Sequence, residues 1–497
     1  MTDARTPGMP VFEDGLLLST SPATGVEAGR VPVADEAAVT AAVENARQAQ
    51  RWWAALGFDG RRTRLLRWRA LLAERLDELA ELSRAETGKP LADAIVEIVA
   101  AIEHLDWAAR HARRVLGPRK VRSRLLVAEH AAHLEYVPFG VVGVISPWNY
   151  PVLVPMGPIA GALAAGNAVV FKPSEYTPVI GQWLADSFAE VVPEQPVLRT
   201  VHGDATTGAA LCRAGVGKLA FTGSTATAKR IMATCAETLT PVVLEAGGKD
   251  ALIVDADADI GAAAEAAVWG SMTNAGQTCI GIERAYVVAP VFDAFVGAVA
   301  EKAGRLRIGE EIGPMTMPGQ LDVVRRHIDD ALASGGEAVV GGADAVRAPR
   351  VAPTVLVNVP DHSAAVREET FGPTLTITRV ADAEEALTKV NSGPYGLGGA
   401  VFGKRDAIRI ARRMRAGMVS VNSTLGFVGM ATLPFGGVGD SGFGRVHGED
   451  GLREFSVPKA VTVRRGPSAL PAMTFERTPA QVRRIVKVVK LLYARRP

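Results

Sequence analysis

Cysteine is scarce in this chain of 497 residues, which holds only Cys212, Cys235 and Cys279. Thiols so scattered form neither a disulfide framework nor a C-x-x-C metal pair, so no metal site is expected and a reducing cytoplasm suits them. Net charge is scarce too. A value of +2 with 22% charged residues gives no electrostatic reason to expect nucleic acid as a partner. Long apolar runs are missing: "PIAGALAAGNAVVF" is interrupted by Gly and Asn and is too short to span a bilayer. The start, "MTDARTPGMPVFEDG", has no apolar core after a basic segment, so no signal peptide is expected. Internal repeats and low-complexity linkers are absent as well. What is there, at 48% hydrophobic, is an ordinary globular composition long enough for roughly two or three domains.

Helical spacing of Val39, Val43 and Ala46, then of Leu65, Trp68, Leu72, Leu76 and Leu79, predicts helix through the first hundred residues. "HLEYVPFGVVGVISP" turns to short β-rich runs and predicts a strand pair feeding a buried strand. As far as about residue 255, strand-like runs alternate with helical stretches. "NAVVFKPS" precedes a helix, "KLAFTGS" precedes "TATAKRIMATCAET", and "PVVLEAGG" precedes "KDALIVDAD". That alternation predicts an α/β protein with a doubly wound parallel sheet. A second α/β stretch runs from about Ala262 to Val421, before the glycine-rich turns of "PFGGVGDSGFGR".

Several short stretches carry chemistry. In "KLAFTGSTATAKR" a strand ends at Thr222-Gly223, and Ser224 falls at a helix N-cap. Free N–H groups and the helix dipole there suit a phosphate, although a plain structural cap has the same signature. Lys172 and Glu175 of "VVFKPSEYTP" follow a buried strand, where a lysine and a carboxylate could hold ribose hydroxyls or form an ordinary solvated turn. Asn149 of "ISPWNYP" is either an amide donor for an oxyanion or a turn residue beside fixed prolines. Glu245 of "VVLEAGGKD" ends an apolar strand, where desolvation would raise its pKa toward general-base values unless a salt bridge holds it. Cys279 of "NAGQTC" is a nucleophile or a small buried filler.

Together, and in this order, "ISPWNYP", "KPSE", "FTGST", "LEAGGK", "GQTC", "EETFGP" and "PFGG" resemble the aldehyde dehydrogenase superfamily over about residues 15–465. The resemblance implies a cofactor domain at 1–119 and 137–246, a catalytic domain at 247–455, and a small β oligomerisation element at 120–136 and 456–465. It also implies a homodimer or homotetramer. By the same resemblance Cys279 attacks the aldehyde, the Asn149 amide and the Cys279 N–H hold the oxyanion, and Glu245 activates the deacylating water. Lys172 and Glu175 match the adenine-ribose contacts, and Gly223 and Ser224 the pyrophosphate contacts. Ile145 and Trp148 match the cleft lining, and Glu369 and Phe371 the nicotinamide contacts. Glu175 would repel a 2′-phosphate, so NAD is expected, with NADP possible. Ala246 departs from the leucine usual at its position, beside the nicotinamide. Arg284 matches a position that is basic across many relatives. Apolar residues at Tyr150, Val154, Phe427 and Phe435 suit an uncharged aliphatic or aromatic aldehyde, with succinate semialdehyde as the alternative substrate. A non-catalytic member is disfavoured, because nucleophile and base are both present.

Residues 466–497 extend past the pattern and carry seven Lys or Arg against one Glu. Thr478-Pro479 predicts a helix start, with Val482, Ile485, Val486, Val489, Leu492 and Tyr493 on one face. Arg483, Arg484, Lys487, Lys490, Arg495 and Arg496 occupy the rest. Such a helix either docks on the body or a neighbouring subunit, or holds reversibly to an anionic membrane surface.

Overall fold

The computed structural model describes residues 6–124, 127–468 and 473–494. Its centre is two mostly parallel sheets, each with one antiparallel edge strand, whose inner strands are short runs rich in Val, Ile, Leu and Ala and almost wholly buried. Such runs lack the alternation of a half-exposed strand because helices cover both faces.

The first sheet runs, edge to edge, Gly442–Phe443, Val242–Glu245, Lys218–Thr222, Val141–Ile145, Ala168–Lys172 and Leu198–Thr200. The chain enters at Val141–Ile145, builds outward to Leu198–Thr200, then crosses back to lay Lys218–Thr222 on the other side. The strand order therefore reverses between Val141–Ile145 and Lys218–Thr222. At such a reversal the crevice beyond the carboxyl ends of the strands is open to a ligand. The register aligns those ends: Ile145 lies beside Lys172 and Phe221, and Thr222 beside Glu245.

The second sheet runs Glu337–Val340, Thr354–Val357, Thr374–Val380, Ile282–Val288, Asp250–Val254, Gly399–Phe402 and Ser420–Val421. Only Ala246–Lys249 separates the last residue of Val242–Glu245 from the first of Asp250–Val254. The carboxyl edge of one sheet is thereby joined to the amino edge of the other, and the loops of both converge there.

Helices Glu36–Ala55, Gly57–Glu74, Leu76–Thr87 and Leu91–Leu116 pack around the first sheet. The indoles of Trp53 and Trp68 meet the ring of Phe188 edge-on, with centroids 6.0 and 5.1 Å apart. Their N–H groups donate to the Leu163 carbonyl and the Ser187 hydroxyl. Both aromatic payload and polar handle are thus satisfied inside the core.

Three sequence expectations need correction. The first thirty-odd residues are not helical: Val11–Glu13, Leu16–Thr20 and Glu27–Pro32 form an antiparallel sheet, too short for a helical period to reveal. "KDALIVDAD" is a strand, Asp250–Val254, buried on both sides. The segment Gly442–Phe455, placed by sequence with the second unit, returns to the first, pairing with Val242–Glu245 and burying Val446, Leu452 and Phe455 in its core. His130–Pro138 is a paired strand and feeds the buried strand Val141–Ile145, as the sequence pattern predicts. It joins Arg119–Val121 and Ser456–Arg464 in a separate three-stranded sheet whose residues are mostly half-buried or exposed.

Helix Pro479–Tyr493 forms where the sequence places it, and Thr478 and Gln481 cap it reciprocally. None of its residues is buried, so it does not dock on its own body. Arg495 and Arg496 lie outside the described residues. Among the described residues no helix is long and apolar enough to cross a membrane. Cys212 and Cys235, distant in sequence, are buried free thiols.

Candidate active site

The two edges bring Glu245, Asn149 and Cys279 into one region. Glu245 ends its strand and is buried. One carboxylate oxygen accepts from Thr222 Oγ1 at 3.1 Å, while Oε1 has no hydrogen-bond partner among the described residues. Burial pushes its pKa up to about 7, with the Thr222 bond and Arg445 opposing.

Cys279 is half-buried at the end of a tightly bent loop that leads into Ile282–Val288. Asn274, Ala275 and Gly276 are all left-handed there, with φ of 52°, 55° and 72°. Gly276 has no substitute, because a Cβ would lie 2.1 Å from the Gly372 backbone. Burial raises the thiol pKa, and the charges of Glu245, Glu369 and Asp250 raise it further. All three carboxyl groups therefore bear on the sulfur. Asp250 and Glu369 are themselves pushed up by burial, to about 7 and about 8. Ile280, Leu397, Met418, Leu425, Phe427, Val428 and Phe435 form one apolar cluster with Cys279.

Asn149 donates one amide hydrogen to the Gln277 carbonyl at 2.9 Å, two residues before the cysteine. An amide carries a second hydrogen, which leaves a donor for a further acceptor. Its backbone is fixed from below. Lys89 Nζ donates to the Asn149 carbonyl at 2.8 Å and pairs with Glu97 at 2.5 Å, both side chains fully buried. Glu97 in turn accepts from the N–H groups of Val152 and Leu153. Tyr150 lies under the Lys89 ammonium and hydrogen-bonds Thr278 Oγ1 at 2.9 Å. Val154 begins the next helical turn, its N–H donating to the Tyr150 carbonyl.

Around the crevice of the first sheet stand the residues expected at a dinucleotide. Ile145 and Lys172 end adjacent strands, and burial lowers the Lys172 pKa while Glu175, 3.6 Å away, raises it. Gly223 and Ser224 open the helix Thr225–Ala236, where Ser224 caps the Thr227 N–H. Trp148 meets Phe371 edge-on at 5.6 Å and so bridges the two units. Glu369 accepts from the Gly248 N–H at 2.8 Å and lies so close over Gly247 that a Cβ there would be 2.2 Å from it. Glu283 ties down the same loop by accepting from the N–H groups of Thr370 and Phe371, and it pairs with buried Lys249. Ala246 is buried against the glycine-rich turn through the Ser441 carbonyl. Arg284 is occupied in donating to the Lys249 carbonyl.

Sequence reasoning missed Lys89, Glu97, Gln277, Asp250, Lys249 and Glu283. Their partners at the site lie tens of residues away, as Asn149 does from Lys89 and Gln277 and Val152 from Glu97, so no local spacing marks their role there. Only the pairing of Lys249-Asp250 directly after the two glycines offered a signal. Among the described residues no group of three or more His, Cys, Asp or Glu is arranged to hold a metal ion.

The sequence model of the aldehyde dehydrogenase family matches residues 13–461. The chain belongs to that family. It is 37% identical over 450 residues to 4,4'-diapolycopene aldehyde oxidase of Methylomonas sp, covering 89% of this chain and 84% of that one. Among solved aldehyde dehydrogenase folds it is similar to PnpE from Pseudomonas sp. WBC-3, which has also been solved in complex with nicotinamide adenine dinucleotide. The match to that complex has 33% identity and a TM-score of 0.87, over 93% of this chain and 96% of the other. Succinate-semialdehyde dehydrogenase from Burkholderia pseudomallei matches with 33% identity and a TM-score of 0.86, over 91% and 95%. The chain is an enzyme of aldehyde oxidation.

Proposed function

We propose that this aldehyde dehydrogenase oxidises an uncharged, apolar aldehyde to its carboxylic acid with NAD, using Cys279 as nucleophile, Glu245 as base and Asn149 as oxyanion donor. The observation that carries the reading is the setting of Cys279, a half-buried thiol in an apolar cluster on which three buried carboxyl groups also bear.

With pKa values near neutrality, those carboxyl groups hold protons part of the time, which eases formation of the thiolate beside them. Glu245 takes the thiol proton through its unengaged oxygen as sulfur bonds to the carbonyl carbon. The carbonyl oxygen becomes the oxyanion of a thiohemiacetal and accepts from the second Asn149 amide hydrogen and the Cys279 N–H. Held by Glu369 and Phe371, a bound NAD would supply the acceptor for the hydride that the thiohemiacetal carbon loses. Glu245 gives up the thiol proton to solvent, and the thioester left on Cys279 is then attacked by water, whose proton passes to the freed carboxylate and on to the departing thiolate. The acid departs and the thiol is restored.

For the cofactor, Lys172 and Glu175 hold the adenine ribose, and Gly223 with Ser224 the pyrophosphate. Ile145 and Trp148 line the cleft, and Glu369 and Phe371 hold the nicotinamide half. The reversal of strand order and the helix end at Ser224 support that fit. The Glu175 carboxylate favours NAD over NADP by opposing a 2′-phosphate. The half-buried strand at 130–138 and the largely exposed strands at 119–121 and 456–464 support pairing of subunits into a homodimer or homotetramer. Three free thiols suit the cytoplasm.

The Methylomonas relative, named for a diapolycopene aldehyde, supports an apolar substrate. NADH formation measured across alkanals of increasing length, benzaldehyde and succinate semialdehyde tests this. Each added methylene that is buried raises kcat/KM by about threefold until the pocket is full. A preference for succinate semialdehyde would overturn the apolar reading and leave the chemistry intact.

A further inference from the structure

The helix Pro479–Tyr493 plays no part in the site, yet it is built with care. A reciprocal cap and Pro479 at its first position start it, so local signals suffice to form it. At 15 residues it is about 22 Å long, a length at which a helix alone in water is only marginally stable. Its apolar side chains are uncovered: Val482 is 42% exposed, Val486 47% and Leu492 50%. Just before it Phe475 is wholly exposed. Arg483, Arg484, Lys487 and Lys490 occupy the other side, and no acidic residue lies between Pro479 and Tyr493.

We propose that this helix is a docking surface for an anionic lipid bilayer, lying in the plane of the interface. A valine- and leucine-rich face enters the acyl boundary while unpaired positive charge meets acidic headgroups. Charge complementarity selects that occupant, because the uniformly basic side matches a continuous negative surface. Such docking would place the enzyme where apolar aldehydes partition. That consequence rests on the substrate reading, but the surface itself does not.

Co-sedimentation of the full chain, without substrate, tests it. The protein is expected to pellet with phosphatidylcholine vesicles containing about 30% phosphatidylglycerol, to stay in solution with pure phosphatidylcholine, and to be released by about 0.5 M salt. Replacing Arg483, Arg484, Lys487 and Lys490 by Gln, or making Val486→Asp with Val489→Asp, should each lower partitioning by about tenfold or more. Turnover of propanal, a water-soluble aldehyde, should be unchanged in both variants and shows that they are folded. Equal pelleting with the two vesicle types, no pelleting, or pelleting indifferent to both variants overturns the proposal. A change of oligomeric state in the aspartate variant without vesicle binding does so too, and assigns the helix to a second copy. A failed alkanal series with intact vesicle binding would count against the substrate reading alone.

Discussion

At the residue scale the proposed chemistry turns on how burial sets the charge of Glu245. Its carboxyl is raised from 4.5 to about 7, so near neutrality it exists in both forms. Only the ionised form can take a proton from water, and kcat is expected to rise with pH through about 7. In Glu245→Gln the first-turnover burst of NADH should be reduced but detectable, while the steady state falls by about 10²-fold or more. Stopped-flow absorbance separates the two phases. The same shift has a stability consequence of definite sign. The folded state holds this proton more tightly than the unfolded chain. The contribution is therefore full below 4.5 and is lost as pH rises through about 7. Between pH 5 and pH 8 wild type should lose roughly 2–3 kcal/mol relative to Glu245→Gln, read from urea midpoints. Cys279 itself was legible only in company. Nothing about a lone cysteine separates a nucleophile from a filler, and the ordered motifs around it are what support the proposed role. Asp250 was not legible, because its effect on the thiol comes from burial that sequence does not display.

At the scale of elements, one buried ion pair holds the loop that carries Asn149. Lys89 begins the segment leading into Leu91–Leu116 and Glu97 lies within that helix, yet both grip the backbone around residues 149–153. Lys89→Met leaves a buried carboxylate without its cation. The expected loss is about 3–5 kcal/mol of stability, measured by urea unfolding, with a fall in kcat as the amide donor loosens. Gly276→Ala should be harmful in another way, because both the left-handed φ and the Gly372 backbone exclude a side chain. The alternation of strand and helix was readable because buried parallel strands are short, β-branched and regularly spaced. Where that signal was thin, reading failed. The opening strands Val11–Glu13 and Leu16–Thr20 are three and five residues long. Gly442–Phe443 is a two-residue strand whose partner lies some two hundred positions earlier. Local pattern carries no information about such a return.

At the scale of the whole molecule, the proposed site comes from joining two sheets edge to edge. The carboxyl ends of the first supply Glu245 and the dinucleotide crevice, and the amino ends of the second supply Cys279, Asp250 and Glu369. Neither unit is a site alone. Trp148 against Phe371, and Glu369 over Gly247, stitch the halves at the point of reaction. The central claim is that the aldehyde carbon becomes bonded to one sulfur. The most direct test is peptide mass spectrometry of Glu245→Gln, quenched within the first turnover with NAD and a long alkanal. The expected result is an acyl group on the peptide bearing Cys279, absent without NAD and absent when Cys279 is replaced by Ala. NADH formed at full amplitude with no acyl adduct, or with the adduct on Cys212 or Cys235, would contradict it.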